Sequence, residues 1–98
     1  MNWVFHPGAS EEMEESATWY ETRKPGLGDE FLSEVQDTID RILKQPNKWR
    51  TVYRDVRRCR LERFPFAVLY RARSERVEIV AIAHDRRRTG YWEGRVGQ

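Results

Sequence analysis

The stretch that decides the fold runs Arg57-Arg58-Cys59-Arg60-Leu61-Glu62-Arg63-Phe64-Pro65-Phe66-Ala67-Val68-Leu69-Tyr70, then Arg71-Ala72-Arg73-Ser74-Glu75-Arg76, then Val77-Glu78-Ile79-Val80-Ala81-Ile82-Ala83-His84. From Arg58 towards Phe64, charged and apolar side chains alternate, the period of a half-buried strand. Phe64-Pro65-Phe66 punctuates, and the chain from Ala67 is rich in apolar residues, with β-favouring Val68 and Tyr70. A turn at Arg73–Arg76 leads into a third strand. There both alternate sets are apolar, with only Glu78 polar between Val77 and Ala83, so the strand is covered on both faces and central. Consecutive strands with short connections pair antiparallel.

Working outward, Asn2 to Phe5 reads as an opening strand ended by His6-Pro7-Gly8. Pro7 suits the first position of a helix, and Ser10 offers an alternative cap. Ala9, Met13, Ala17 and Tyr20 then form an apolar stripe at helical spacing. Glu11, Glu12, Glu14 and Glu15 crowd the early turns and read as a solvated face rather than a metal cluster. Lys24-Pro25-Gly26-Leu27-Gly28 breaks this helix, and Asp29 is placed to cap the next. Phe31, Leu32, Val35, Ile39, Ile42 and Leu43 mark a second amphipathic helix ending near Lys44, before Pro46. Trp49 to Val56 reads as a loop, and a C-terminal helical turn is expected near Tyr91 to Arg95. The result is an α+β fold in the order β-α-α-β-β-β: an antiparallel sheet with an N-terminal helical hairpin packed on one face.

Ninety-eight residues suit one domain, residues 1–98. No run approaches the ~18 apolar residues of a membrane span, so no membrane is expected. The N-terminus shows no secretory pattern. Cys59 is the only cysteine, which excludes an internal disulfide and suits a reducing cytoplasm. The net charge of +2 hides a division. Residues 1–49 hold five Lys/Arg against ten Asp/Glu; residues 50–98 hold thirteen Arg and no Lys against six Asp/Glu. A basic half built only from Arg, whose planar fork matches phosphate and carboxylate, points to a polyanionic or acidic partner.

Alternation places Arg58, Arg60 and Glu62 on one face of their strand and Cys59 and Leu61 on the other, against the helices. Arg86, Arg87, Arg88 and Tyr91 are expected to reach the same open face. Convergent guanidiniums beside an aromatic ring suit a nucleic-acid backbone with a stacked base. They equally suit phosphodiester cleavage, with His84 or Tyr91 moving protons, or the docking of an acidic peptide. His84 is otherwise a structural imidazole, and Tyr91 and Trp92 are otherwise packing residues. His6 is the only other imidazole, so neither a metal site nor a cofactor is expected.

Trp19-Tyr20-Glu21, Gly26-Leu27-Gly28 with Phe31, the run Arg57-Arg58 through Leu61, Arg63-Phe64-Pro65-Phe66, Val68 and Tyr70, and finally Ala81, His84, Arg86-Arg87 and Gly90-Tyr91-Trp92 with Arg95 resemble the RelE/ParE toxin superfamily. The resemblance covers about nine-tenths of the chain. It implies the toxin of a bacterial type II toxin-antitoxin pair, held by a small antitoxin and meeting operator DNA only through it. Two activities are implied. RelE-like members are metal-independent endoribonucleases that cut messenger RNA on the ribosome; ParE-like members are not nucleases and inhibit DNA gyrase. Carried over, the nuclease's basic positions fall on Arg58, Arg60 and Arg87, with His84 or Tyr91 for proton transfer, but the arginine of the middle strand falls on Ala67. The resemblance therefore favours a ParE-like activity with gyrase as target. The target-binding set is Arg58, Arg60, Arg86, Arg87, Arg88, Tyr91 and Trp92. An inactive member, surviving only as an adaptor for antitoxin and operator, is the remaining alternative.

Overall fold

The computed structural model describes residues 2–97. Strand β1 (Asn2–Phe5) leads into helices α1 (Pro7–Arg23) and α2 (Leu27–Lys44), then β2 (Thr51–Tyr53), β3 (Val56–Arg60), β4 (Phe66–Arg73) and β5 (Arg76–His84), with a 3-10 turn at Glu93–Arg95. The helices form the expected hairpin, and the sheet order is β1-β5-β4-β3-β2.

The sheet departs from the all-antiparallel expectation at its first strand. β1 lies parallel to β5, with Phe5 opposite Ile79. A strand joined to the rest of the sheet through two helices, rather than a tight turn, is free to pair in parallel. The stretch read as a loop also carries a strand: β2 pairs antiparallel with β3 at the far edge. It is three residues long and largely exposed, so no alternation announces it. β5 is central, between β1 and β4. Its pairing with β4 shifts by one residue between Leu69↔Ala81 and Tyr70↔Ile79, which leaves Val80 as a bulge.

Local chemistry sets the helix ends. His6 caps α1, its Nδ1 accepting from the Gly8 N–H at 2.9 Å, and Pro7 takes the first helical position. The helix thus starts before the acidic run, and its first turn holds no carboxylate. For α2 the expected cap at Asp29 is replaced by Gly26 at φ 91°. The Glu21 carboxylate, near the end of α1, reaches across to accept from the Gly26 and Gly28 N–H groups at 2.9 and 3.0 Å. Gly28 lies so close to α1 that a Cβ there would stand 2.6 Å from the Ala17 carbonyl oxygen.

Between the helices and the sheet lies the main core, which includes Ala9, Ala17, Phe31, Val35, Ile39, Ile42, Cys59, Leu61, Phe66, Tyr70 and Ile82. Tyr20, Phe31, Phe64 and Phe66 meet edge-on or tilted at one end. Leu32, assigned to the buried stripe, is instead exposed. Glu34 and Thr38 are buried in the same helix. Glu34 accepts from the Glu62 and Arg63 N–H groups and from Arg63 Nε, fastening the β3–β4 connection to α2. Tyr70 donates to the Pro46 carbonyl at 2.6 Å, and burial pushes its phenol up to about 12.

The opposite face of the sheet is not bare. Val56, Ala67, Leu69, Val80 and Ala81 form a second, smaller core under Trp92 and Val96 from the C-terminal segment. Arg71, only 8% exposed, ties this side together by pairing with Asp55 and donating to the Val96 carbonyl.

Candidate functional site

Strand parity divides the sequence-derived residues between two places. Arg58 and Arg60 share a side of β3 with Val56 and stand opposite Leu69 and Ala67 of β4, on the face away from the helices. Both guanidiniums turn to one carboxylate: Arg60 Nη1 donates to Asp85 Oδ2 at 2.9 Å, and Arg58 Nη2 lies 3.6 Å from Asp85 Oδ1. Ala67, at the arginine position of the nuclease pattern, is 1% exposed in the floor between them. A cleft of about 280 Å³ opens here, and its lining brings Arg58, Ala67 and Asp85 together with His84, Arg87 and Tyr91. Small side chains at Ala67 and Ala83 leave the depression, and arginines rim it.

His84 and Tyr91 border that cleft, but the Tyr91 hydroxyl and the His84 ring turn towards the helix side. His84 has the parity of Ile82 and faces the helix layer, where its ring meets Phe66 edge-on at 4.9 Å. Its Nδ1 accepts from the Arg86 N–H at 3.0 Å, which leaves Nε2 as the donor of the neutral ring. Tyr91 donates to Glu12 Oε2 on α1 at 2.8 Å. Burial first, then the hydrogen bond and charge of Glu12, drive its phenol far above the usual range. Arg87 stacks over the Tyr91 ring at 3.8 Å. Arg86, Arg87 and Arg88 are exposed, whereas Trp92, at 6% exposure, packs edge-on against Tyr53 and supports the segment from below.

Glu12 is the residue that the sequence did not single out. The acidic run suggests a solvated face, yet the Glu12 side chain is nearly enclosed and accepts four hydrogen bonds. These come from Ile82 N–H at 3.0 Å, Tyr91 Oη at 2.8 Å, and Arg95 Nη1 and Nη2 at 3.1 and 2.8 Å. Arg95 also donates to the Val80 carbonyl at 3.0 Å. β1 ends at Phe5, and the chain's last bond to β5 on that side is His6 N–H to the Ile79 carbonyl. Beyond it, the Glu12–Arg95 pair serves the β5 edge as a side-chain substitute for the missing strand. Gly8 gives it room, since a Cβ there would fall 2.6 Å from the Arg95 guanidinium carbon.

Next to this clasp, α1 and the sheet diverge into an apolar groove of about 480 Å³. Its lining includes Ser16, Trp19, Tyr20, Phe66, Ile82 and His84, with Arg87 at its mouth. Trp19 is 51% exposed, the largest apolar side chain left open in the described chain, with Arg23 stacked on it at 4.3 Å.

Against this geometry, a family model described as the ParE toxin of type II toxin-antitoxin system, parDE, matches residues 4–89. The chain belongs to the ParE toxin family. None of the curated proteins matches it. Among solved structures, one titled "Chromosomal ParDE TA system from P. aeruginosa" is similar at 22% identity and a TM-score of 0.64, covering 86% of this chain and 95% of that one. At that identity the likeness speaks for the fold, including the mixed sheet and the helical hairpin.

For this ParE-family chain, the superfamily's nuclease constellation is incomplete, with buried Ala67 at one charge-stabilising position. Arg58 and Arg60 share Asp85 on one face, and Tyr91 is committed to Glu12 around the β5 edge. Among the described residues no group of three or more His, Cys, Asp or Glu is arranged to hold a metal ion, and no helix is long and apolar enough to cross a membrane.

Proposed function

We propose that this chain inhibits growth by binding DNA gyrase and is neutralised by a cognate antitoxin. The observation that carries the reading is that two groups of the nuclease pattern cannot act: its middle-strand arginine is a buried alanine and its tyrosine hydroxyl is held by Glu12. An endoribonuclease needs charge-stabilising and proton-transferring groups around one phosphodiester. Here the middle-strand arginine is Ala67, buried in a small core. The Tyr91 hydroxyl donates its hydrogen bond to Glu12, and its raised pKa keeps the phenol protonated, so it does not act as a base near neutrality. Losing one charge-stabilising donor typically costs ~100-fold or more in rate. Binding requires no such convergence. The exposed Arg86–Arg88 segment, Arg50, and the Asp85-held pair Arg58 and Arg60 offer an arginine-rimmed surface to an acidic patch.

The test is a supercoiling assay with purified gyrase and relaxed plasmid. Wild-type protein is expected to inhibit, and Arg58→Ala with Arg60→Ala, folded by circular dichroism, to need at least 10-fold more protein for the same effect. No inhibition by the wild type, at any concentration up to a large excess over gyrase, would overturn the gyrase reading.

A further inference from the structure

The outer side of β1 carries backbone groups that nothing in the fold uses. His6 N–H donates to the Ile79 carbonyl at 2.8 Å, and Phe5 lies level with Ile79. Along a strand, successive residues turn their backbone groups alternately towards one neighbour and the other. Asn2, Val4 and His6 therefore face β5, while Trp3 and Phe5 turn both N–H and C=O outward. Among the described residues no strand lies beyond β1, and no other group bonds Trp3 or Phe5 from outside. The side chains follow the same parity. Trp3 and Phe5 meet edge-on at 5.1 Å on the helix side, and Val4, 38% exposed, stands on the open face. Sheet edges are usually blunted by charge, proline, irregular pairing or brevity. β2, at the opposite edge, has only three residues, a shifted register with β3, and Arg50 and Arg54 at its ends. β1 has an unbroken register and neither charge nor proline.

We propose that this edge pairs antiparallel with the same edge of a second copy of the chain, centred on Val4, to make a dimer with one continuous sheet. The register is self-complementary. With Val4 opposite Val4 of the second copy, Trp3 of each chain stands opposite Phe5 of the other. Those are the residues whose backbone groups face outward, so each Trp3–Phe5 pair exchanges both of its N–H···O bonds. The central valines form a pair without hydrogen bonds, where side chains approach closest, and each covers the other's exposed surface. A shift of one residue sets Trp3 and Phe5 against residues already turned to β5 and bonds nothing. The same patch meets itself, so the interface is isologous and closes at two copies. Its two-fold axis stands perpendicular to the sheet, which puts both helix layers on one side and both arginine clefts on the other. With β3 three strands in from β1, the two clefts lie about seven strand spacings of ~4.8 Å apart, roughly 34 Å along the sheet. The dimer does not depend on which target the chain binds.

The experiment uses the full chain alone, by sedimentation equilibrium from about 10 µM to about 1 mM, the range suited to a small interface. Amide exchange is followed by NMR over the upper part of that range. The wild type is expected to pass from monomer to dimer, with exchange at Trp3 and Phe5 slowing about 10-fold or more as concentration rises. Val4→Lys sets two like charges opposite each other at the two-fold axis, on an exposed side chain, and is expected to stay monomeric throughout. Val52→Lys, an equally exposed valine on the β2 edge, is expected to dimerise as the wild type does. A wild type that is monomeric at every concentration overturns the proposal. So does a dimer that survives Val4→Lys and is lost in Val52→Lys, which assigns the contact to β2. If Val4→Lys does not fold, the wild-type exchange decides: no slowing at Trp3 and Phe5 in a dimer places the interface elsewhere and overturns the proposal as well.

Discussion

Replacing Glu12 by Ala tests the clasp that joins α1, β5 and the C-terminal segment. The substitution removes one carboxylate and leaves four donors without an acceptor: the Ile82 N–H, the Tyr91 hydroxyl and two Arg95 nitrogens. Breaking a buried ion pair by deleting one partner costs about 3–5 kcal/mol. The Arg95 and Glu12 side chains retain 21% and 11% of their exposure, so the stranded guanidinium can partly rehydrate. That lowers the expected loss to about 2–4 kcal/mol. For a domain of this size each kcal/mol moves the melting temperature by about 4–8 °C, giving a drop of roughly 8–32 °C. Urea unfolding followed by circular dichroism reads the loss as a lower midpoint at unchanged slope. Pairing the change with Tyr91→Phe in a double-mutant cycle isolates their coupling, expected at ~1 kcal/mol or more. A loss below about 1 kcal/mol with no coupling would refute the idea that this carboxylate substitutes for a strand.

Three further outcomes follow from single contacts. Tyr70, with its phenol raised to about 12 by burial, ionises more easily unfolded than folded. Its contribution is complete below pH ~10 and is lost as pH rises from there through 12, worth about 2–3 kcal/mol in full. Tyr70→Phe should therefore flatten the fall in stability above pH 10, and an unchanged alkaline slope counts against it. Gly28→Ala forces a Cβ to within 2.6 Å of the Ala17 carbonyl, and should cost about 1–3 kcal/mol by separating the helices; a neutral thermal shift would contradict that close approach. Asp85→Asn releases Arg58 and Arg60 from their shared counter-charge. Because the pairs are partly exposed, stability should change by no more than ~1 kcal/mol, while elution from heparin moves to higher salt; unaltered elution would mean that the pair was never held in check.

The long periodic segments made the fold legible. The alternating and doubly apolar strands from Arg58 to Ala83 and the stripes of α1 and α2 correspond to buried faces, with Leu32 the exception. Pairing direction was not legible for β1, because four residues carry no signal of which way a neighbour runs. β2 was hidden by its length and exposure. Caps were missed where the donor's partner lies far along the chain, as Glu21 does for the start of α2. The site suffered most from this. Parity placed Arg58 and Arg60 correctly with respect to Cys59 and Leu61, but it could not show that Asp85 would gather them. Nor could it show that the segment after His84 turns around the β5 edge towards α1. Glu12 looked like its three acidic neighbours, since one helical position among four is distinguished only by what packs against it. Spacing offered one clue, as Glu12 lies one residue before Met13 on the flank of the buried stripe.

The account turns on the buried Ala67 at the place of the nuclease pattern's middle-strand arginine and on the Tyr91 hydroxyl being held by Glu12. Its most direct test is the integrity of translated messages during growth arrest, followed by primer extension after the wild-type chain is induced in cells without its antitoxin. Growth should stop while messages keep full-length ends, with no breaks at codon boundaries. Cleavage within translated codons that appears with the arrest and disappears in Arg58→Ala with Arg60→Ala would contradict the account, and would mean that these side chains regroup around RNA.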